Sequence, residues 1–313
     1  MALIVLLALG SSLFYGTSDF LGALAARRLA VLPATLITYL FGAAVIGVAL
    51  LFGGWTVSEP ALVAGSAAAL FAIVGFVAFY AALAIGPMSL LSPAIAVIQA
   101  LVPIVAAAVT GQALSPLGWG AVALAVVAGI LISVQRTPGA LRVTLPGAVL
   151  ALVSGVTLGA SIVALDSSPA SSGLFPAFLE MAGGILVLAL LMLALRLLHL
   201  RPTWLAADPT PAAAHSANAA ASGSGNAPNP PRDAASRPAW LTAAAAGLLL
   251  GTANALLLLA LHGGNLAAVS VLSALYPIAT VILAALVLRE RVSPTQLAGI
   301  ALAVLAATLL SLS

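Results

Sequence analysis

Residues 115–133 read SPLGWGAVALAVVAGILIS and residues 293–311 read SPTQLAGIALAVLAATLLS. The two stretches align without a gap, Ser115 with Ser293, Pro116 with Pro294 and Ser133 with Ser311. Carried backwards, the same offset pairs Pro60 with Pro238 and Gly86 with Gly264. A second, shorter offset pairs Gly16 with Gly159, Ser18 with Ser161 and Pro33 with Pro176. The change of offset matches the length of a segment rich in Ala, Pro, Ser, Gly and Asn between Pro202 and Pro238. Ala- and Leu-rich stretches align by chance, but prolines paired at segment boundaries argue against chance. The chain reads as one unit written twice, with an insert in the second copy.

Composition places that unit in a bilayer. Of 313 residues 63% are hydrophobic and 5% charged, with a mean hydropathy of +1.25, against about 25% charged in soluble domains. A helix crossing a roughly 30 Å hydrocarbon core needs about 20 apolar residues. Runs of that length recur ten times between Gly, Pro, Arg and Ser punctuation: 2–24, 33–53, 60–84, 87–110, 116–135, 145–166, 173–198, 238–262, 265–288 and 294–312. The first run lacks the basic flank of a signal peptide and contains Asp19, so it is expected to be a retained helix. The expectation is an all-α integral membrane protein of ten transmembrane helices, built as two inverted five-helix repeats, 1–135 and 145–313. The loop 202–237 is expected to be disordered, because it has almost no large apolar side chain to offset the entropy of ordering. An odd number of spans per copy inserts the second copy upside down, an arrangement suited to opening a central site to either side of a membrane.

Several functions are excluded or weakened. Without cysteine there is no disulfide frame, thiolate nucleophile or sulfur metal site. All ten basic residues are Arg, so the lysine of a phosphate-binding loop is missing, and no clustered basic face offers itself to nucleic acid. The three His are scattered and His215 stands alone in the insert, so neither a metal site, a cofactor nor an enzyme's constellation is expected.

The run LALHGGNLAAVSVLSALYPIATVILAALVLRERVSPTQLAGIALAV, from Leu259, resembles the signature half of an EamA-type repeat of the drug/metabolite transporter superfamily. The matching positions are Gly263, Ser270, Leu275, Pro277, Glu290, Gln296 and Gly299. In the first copy Gln112 stands for Glu290 and Gln99 for Pro277. The resemblance implies five plus five helices, a carrier of a metabolite or drug, second and seventh helices lying outside the cavity, and both termini inside the cell. The arginines imply the opposite orientation: all lie in or beside odd-numbered loops, which the positive-inside rule places in the cytoplasm with both termini outside.

Polar residues within membrane helices line something wet or hold helices together. On the fourth span Ser92, Gln99 and Pro103 share a face, and on the ninth Ser270, Ser273, Pro277 and Thr280 do, with Tyr276 beside them. Ser92 and Ser270 are repeat partners. On the first span Ser11, Tyr15, Ser18, Asp19 and Gly22 lie along one side. An ionised carboxylate there costs at least about 2.5–3.5 kcal/mol on insertion scales, so Asp19 is expected to bind a proton, a cation or a cationic part of a solute. The alternative is an interfacial acid steadied by Arg27 or Arg28. Glu180 is either a coupling acid or a membrane-edge acid satisfied by serines of the preceding loop. Asn254 is a further lining candidate. His262 and Glu290 are expected at helix edges and in loop ion pairs. Trp55, Trp119 and Trp240 fit an interfacial belt. Gly155-x-x-x-Gly159 and Gly247-x-x-x-Gly251 permit close helix contact. The nearly featureless fifth and tenth helices are expected at the periphery, facing lipid or a second subunit in a homodimer.

The expected function is therefore a multi-pass carrier of the cell membrane that moves a small metabolite or drug-like solute by alternating access. Export and proton coupling are the expected direction and drive; a passive channel or sensor is the alternative.

Overall fold

The computed structural model describes residues 2–26, 29, 31–85, 88–112, 114–133, 144–199, 239–279, 282–283 and 293–312. All regular structure among them is helical: α1 (Ala2–Ala26), α2 (Val31–Phe52), α3 (Glu59–Ile85), α4 (Met88–Val109), α5 (Pro116–Ser133), α6 (Leu145–Asp166), α7 (Phe175–Leu197), α8 (Ala239–Gly263), α9 (Leu266–Ser273) and α10 (Pro294–Leu312), with one 3₁₀ turn at Ala170–Ser172. Six of these helices, α1, α2, α3, α6, α7 and α8, contain stretches long and apolar enough to cross a bilayer by themselves, and four shorter apolar segments accompany them. The predicted insert 202–237 lies outside the described residues, as do nine of the ten arginines; Arg196 is exposed in the last turn of α7.

The repeated Ser-Pro pairs are helix starts. Ser115 Oγ accepts from the Gly118 N–H at 3.0 Å ahead of α5. Ser293 Oγ accepts from the Gln296 N–H at 3.3 Å, while Gln296 Oε1 accepts from the Ser293 N–H at 2.9 Å, a reciprocal capping box opening α10. The following proline sits where a missing N–H costs nothing. These prolines and caps set the boundaries that the sequence repeats.

The ninth span departs from expectation. Instead of running unbroken from 265 to 288, α9 ends at Ser273 and a turn follows at 274–276. Pro277 has no N–H to give to the Ser273 carbonyl, and the backbone tightens to three-residue steps, Leu275 N–H to Leu272 and Ile278 N–H to Leu275.

Outward-facing positions carry Leu, Val and Phe, such as Leu6, Leu13, Leu51 and Phe52, whereas inward positions are filled largely by Ala, Gly and Ser. In hydrocarbon no hydrophobic force drives helices together, so close packing of small residues must hold them. Gly247 and Gly251 of α8 lie against the Thr38 and Gly42 backbone of α2, where any Cβ would collide with a carbonyl. Gly155 and Gly159 seat α6 on Ile95, Ile98 and Gln99 of α4.

Helix neighbours come in pairs. The most extensive contacts include α1 on α8 with α3 on α6, and α2 on α8 with α3 on α7; α4 on α6 is matched by α1 on α9. Each pair interchanges when the first five helices are exchanged for the last five in order. Gly16, on the shorter offset the partner of Gly159, meets the Tyr276 carbonyl in the turn after α9 as Gly159 meets the Gln99 carbonyl of α4. The fifth and tenth helices pack on one another within the chain, burying Ala121, Ala125 and Ala128 together with Ala303, Ala306 and Ala307.

Gly251→Val should lower stability by roughly 1–3 kcal/mol, because the added methyls meet backbone rather than a movable side chain. Gly120→Ala, which enters open space on α5, should change it by no more than about 1 kcal/mol. Thermal unfolding of the two variants in detergent checks the contrast.

Candidate functional site

A cavity lies where α1, α3, α4, α6, α7, α8 and α9 converge. Its walls carry Tyr15, Asp19, Gln99, Glu180, Asn254 and Tyr276 among the polar residues, with Ser161, Ser270 and Ser273, and Phe76, Phe79, Leu158 and Ile162 among the apolar ones. The volume that a water-sized centre can reach is about 80 Å³. At roughly 10–15 Å³ per water this is space for a handful of waters.

Four helices meet at one hydrogen-bonded junction. Ser161 Oγ of α6 donates to Glu180 Oε1 of α7 at 3.3 Å, and Asn254 Nδ2 of α8 donates to Glu180 Oε2 at 3.4 Å. The Tyr15 hydroxyl of α1 donates to Asn254 Oδ1. Glu180 is thus an acceptor at both oxygens and is 5% exposed. Ser161 stands one residue beyond a full turn from Asp166, the last residue of α6, and Glu180 five residues into α7, so the junction lies about 8 Å from the end where these helices meet. Asp19 lies seven residues before the opposite end of α1, is exposed at the wall, and also borders a smaller pocket with Ser18, Thr35, Thr38 and Tyr39. The cavity therefore holds two carboxylates at different depths.

Most of the residues singled out in the sequence meet here: Tyr15, Asp19, Gln99, Glu180, Asn254, Ser270, Ser273 and Tyr276. Others are placed elsewhere. Ser18 is turned away, its hydroxyl donating to the Ala246 carbonyl at 2.9 Å and tying α1 to α8. Pro277 borders a separate small pocket with Ala96, Ala125 and Gly129: the turn after Ser273 shifts the register, so Tyr276 takes the cavity face instead. Ser92 falls on α4 with its side chain outside the described residues, and Thr280, Glu290, His215, Arg27 and Arg28 also lie outside them.

The expectation that α7 stays clear of the cavity is overturned by Glu180, whose partners are Ser161 and Asn254 rather than serines of the preceding loop. Ser161 was legible only as the repeat partner of Ser18. Its role in the junction depends on α7, which no spacing within α6 discloses.

The end of the bundle carrying the even-numbered loops is tied together. Gln112, after α4, donates from Nε2 to Asp166 at 3.2 Å, accepts at Oε1 from the Leu266 N–H at 2.9 Å, and receives Asn265 Nδ2 at its backbone carbonyl. Ser168 meets His262 at 3.1 Å, Thr56 Oγ1 donates to the Ser171 carbonyl, and Trp55 stacks on Phe175 with centroids 5.4 Å apart. Gly173, at φ 54°, packs against the Gly54 carbonyl, where a side chain would suffer both strain and collision. Among the described residues no group of three or more His, Asp or Glu could hold a metal ion.

Residues 226–312 match the model of the EamA-like transporter family, part of the drug/metabolite transporter superfamily. The match bears out the resemblance over residues 226–312, and the apolar helices are those of a membrane-embedded, multi-pass protein. No curated protein matches the chain. One solved crystal structure among 25 matching chains aligns with a TM-score of 0.71 at 19% identity, covering 99% of this chain and 96% of that one. At this identity the likeness speaks for the fold alone.

Asn254→Leu removes the donor to Glu180 and the acceptor of Tyr15 together. The buried Glu180 and the half-buried Tyr15 hydroxyl then each lose a partner, at about 1–3 kcal/mol for the buried group, so the unfolding midpoint should fall below that of a Thr252→Val control, whose hydroxyl bonds only within its own helix. Circular dichroism melts of the purified variants decide this.

Proposed function

We propose that the chain is a secondary carrier that moves a small solute by alternating access, with two inverted five-helix repeats closing in turn around the cavity. The observation carrying this reading is that repeat-equivalent residues line the same cavity. Tyr15 and Leu158, and Asp19 and Ile162, share the offset that pairs Gly16 with Gly159. Ala72 and Leu250, Phe76 and Asn254, and Phe79 and Leu257 share the offset that pairs Ser115 with Ser293. All ten residues are on the wall. A cavity bounded by equivalent positions of both copies is where a pseudo-twofold axis in the membrane plane would pass, and exchange of conformations between such copies moves access from one side to the other.

Export across the cell membrane and coupling to protons complete the proposal. The titratable groups on the cavity wall are Asp19, Glu180, Tyr15 and Tyr276, and among the described residues no basic side chain joins them. Asp19 and Glu180 are the acids able to trade a proton for solute. The even-loop ties through Gln112 and His262 form the closed gate, placed outside by the arginine distribution. The outward faces of α5 and α10 remain available to lipid or to a second copy.

With a solute found by thermal-shift screening of small metabolites, proteoliposomes under an imposed pH gradient should accumulate it against its concentration. Asp19→Asn should abolish that accumulation while the protein still inserts. Purely downhill movement would mark a channel, and undiminished pH-driven uptake by Asp19→Asn would remove the acid from the mechanism. Because the chain has no cysteine, a Gln112→Cys/Leu266→Cys pair can be cross-linked cleanly across the closed gate. Cross-linking should stop flux and reductant should restore it; unaffected flux would contradict an opening at this end.

A further inference from the structure

The two copies contribute unlike chemistry to equivalent places on the wall. Asp19 has Ile162 as its counterpart, Tyr15 has Leu158, and Asn254 has Phe76. The cavity consequently has a polar, acidic side and an apolar side. Its charged groups are two carboxylates, and no Arg or His among the described residues lines it. Glu180 already accepts at both oxygens from Ser161 and Asn254, whereas Asp19 is exposed at the wall with no hydrogen bond or ion pair among the described residues.

A second observation points to an absent ligand independently of the acids. The hydroxyls of Ser270 and Ser273, 1% and 4% exposed, line the cavity and have no hydrogen-bond partner. Helical serines can return their proton to the carbonyl one turn back, and other hydroxyls here do so, Thr157 and Thr252 among them. Two buried hydroxyls left open on a cavity wall are costly unless something in the cavity meets them.

We infer that the solute is a small amphiphilic organic cation, its ammonium held at Asp19 with the Ser270 and Ser273 hydroxyls as further acceptors, and its apolar body laid against Leu158, Ile162 and Phe76. An ammonium supplies donors only, which carboxylates and hydroxyl lone pairs accept, and the Tyr15 and Tyr276 side chains share the wall with Asp19, where a ring face turned to the cation would add a quadrupole attraction. A carboxylate-bearing solute would meet two like charges and no described cation. The present volume is far below the roughly 300–1,000 Å³ of drug-sized pockets, so the solute is small. The inference names a substrate class for the carrier proposed above and rests on that reading for transport, but not for binding.

The test uses three probes that differ only at one end: phenethylammonium, 2-phenylethanol and phenylacetate, titrated calorimetrically at pH 7 into the full chain in detergent. Phenethylammonium should bind at least about tenfold tighter than the alcohol, because only its ammonium can pair with the Asp19 carboxylate, and phenylacetate weakest. Asp19→Asn should erase the preference for the cation while leaving the alcohol's affinity within about threefold, and Asp19→Glu should restore part of it. Ser270→Ala/Ser273→Ala should weaken the cation more than the alcohol, which keeps the test decisive if Asp19→Asn does not fold. Equal affinities, tighter phenylacetate, or no binding of any probe would overturn the inference. Vesicle uptake separates the two proposals. Cation-selective binding without uptake leaves the site standing and fells the carrier; uptake with no preference for the cation does the reverse.

Discussion

Glu180 accepts from Ser161 and Asn254, and Asn254 accepts from Tyr15. This constraint organises the interior: a carboxylate far from bulk water is tolerable only if its lone pairs are met, and meeting them draws α1, α6, α7 and α8 to one point. Two of those helices abut the cavity by virtue of their glycines. Gly16 lets α1 approach the Tyr276 carbonyl and Gly159 lets α6 approach the Gln99 carbonyl, so the donors arrive where the acid waits. Bulkier residues at either position would hold the helices apart and leave the acid without partners.

How far the sequence discloses this depends on the kind of signal. Apart from the ninth, the helices and their ends were legible among the described residues, because a bilayer demands long apolar runs and because Ser-Pro starts recur at fixed offsets. Asp19 was legible because its cost in hydrocarbon is large beside any structural gain. Glu180 raised the same question, but its answer lay in α8, since Asn254 stands 74 residues away and nothing local in either helix announces the contact. The resemblance misled here by placing α7 outside. Pro277 shows the opposite failure: helical spacing put it in line with Ser270 and Ser273, yet its missing N–H ends the helix that made the spacing meaningful. Ser18 borders the smaller pocket beside Asp19 while its hydroxyl ties α1 to α8, a distinction that small hydroxyls seldom reveal before their neighbours are known.

On the reading proposed above, a unit written twice would supply the scaffold, and the positions where its copies differ would supply the chemistry. Where the copies agree, as at Gly16 and Gly159, Ser11 and Ser154 or the Ser-Pro starts, the residues serve packing and helix ends. Ser11 and Ser154 are both fully buried, and their small side chains suit helix crossings that occur once in each half. Where the copies differ on the cavity wall, one carries a polar group and the other an apolar one: Asp19 against Ile162, Asn254 against Phe76. A symmetric cavity lined twice by acids would confront every solute with repelling or unmatched charges on both sides, and one lined twice by apolar residues would offer no anchor. Divergence between the copies is what converts a packing symmetry into a surface with direction, able to orient an occupant end for end.

That division also bears on how such a fold could change shape without losing its anchor. The contacts that correspond between the halves are between helices and include small residues, such as Gly247 and Gly251 on α2 and Gly159 on α4, though α1 on α8 also carries the Tyr15–Asn254 and Ser18–Ala246 bonds. The ties at the even-loop end are of a different kind: Gln112 with Asp166 and the start of α9, Ser168 with His262, Trp55 on Phe175. The hydrogen bonds of Gln112, Asp166 and His262 involve half-buried groups at the rim, where water can replace a partner as it separates, so each is worth of order 1 kcal/mol net. The Glu180 junction is buried, Glu180 being 5% exposed, with direct protein partners at both oxygens. Were the bundle to open as the carrier reading requires, parting at this rim would break hydrogen bonds that water can replace, whereas parting at Glu180 would strip a buried carboxylate of its partners.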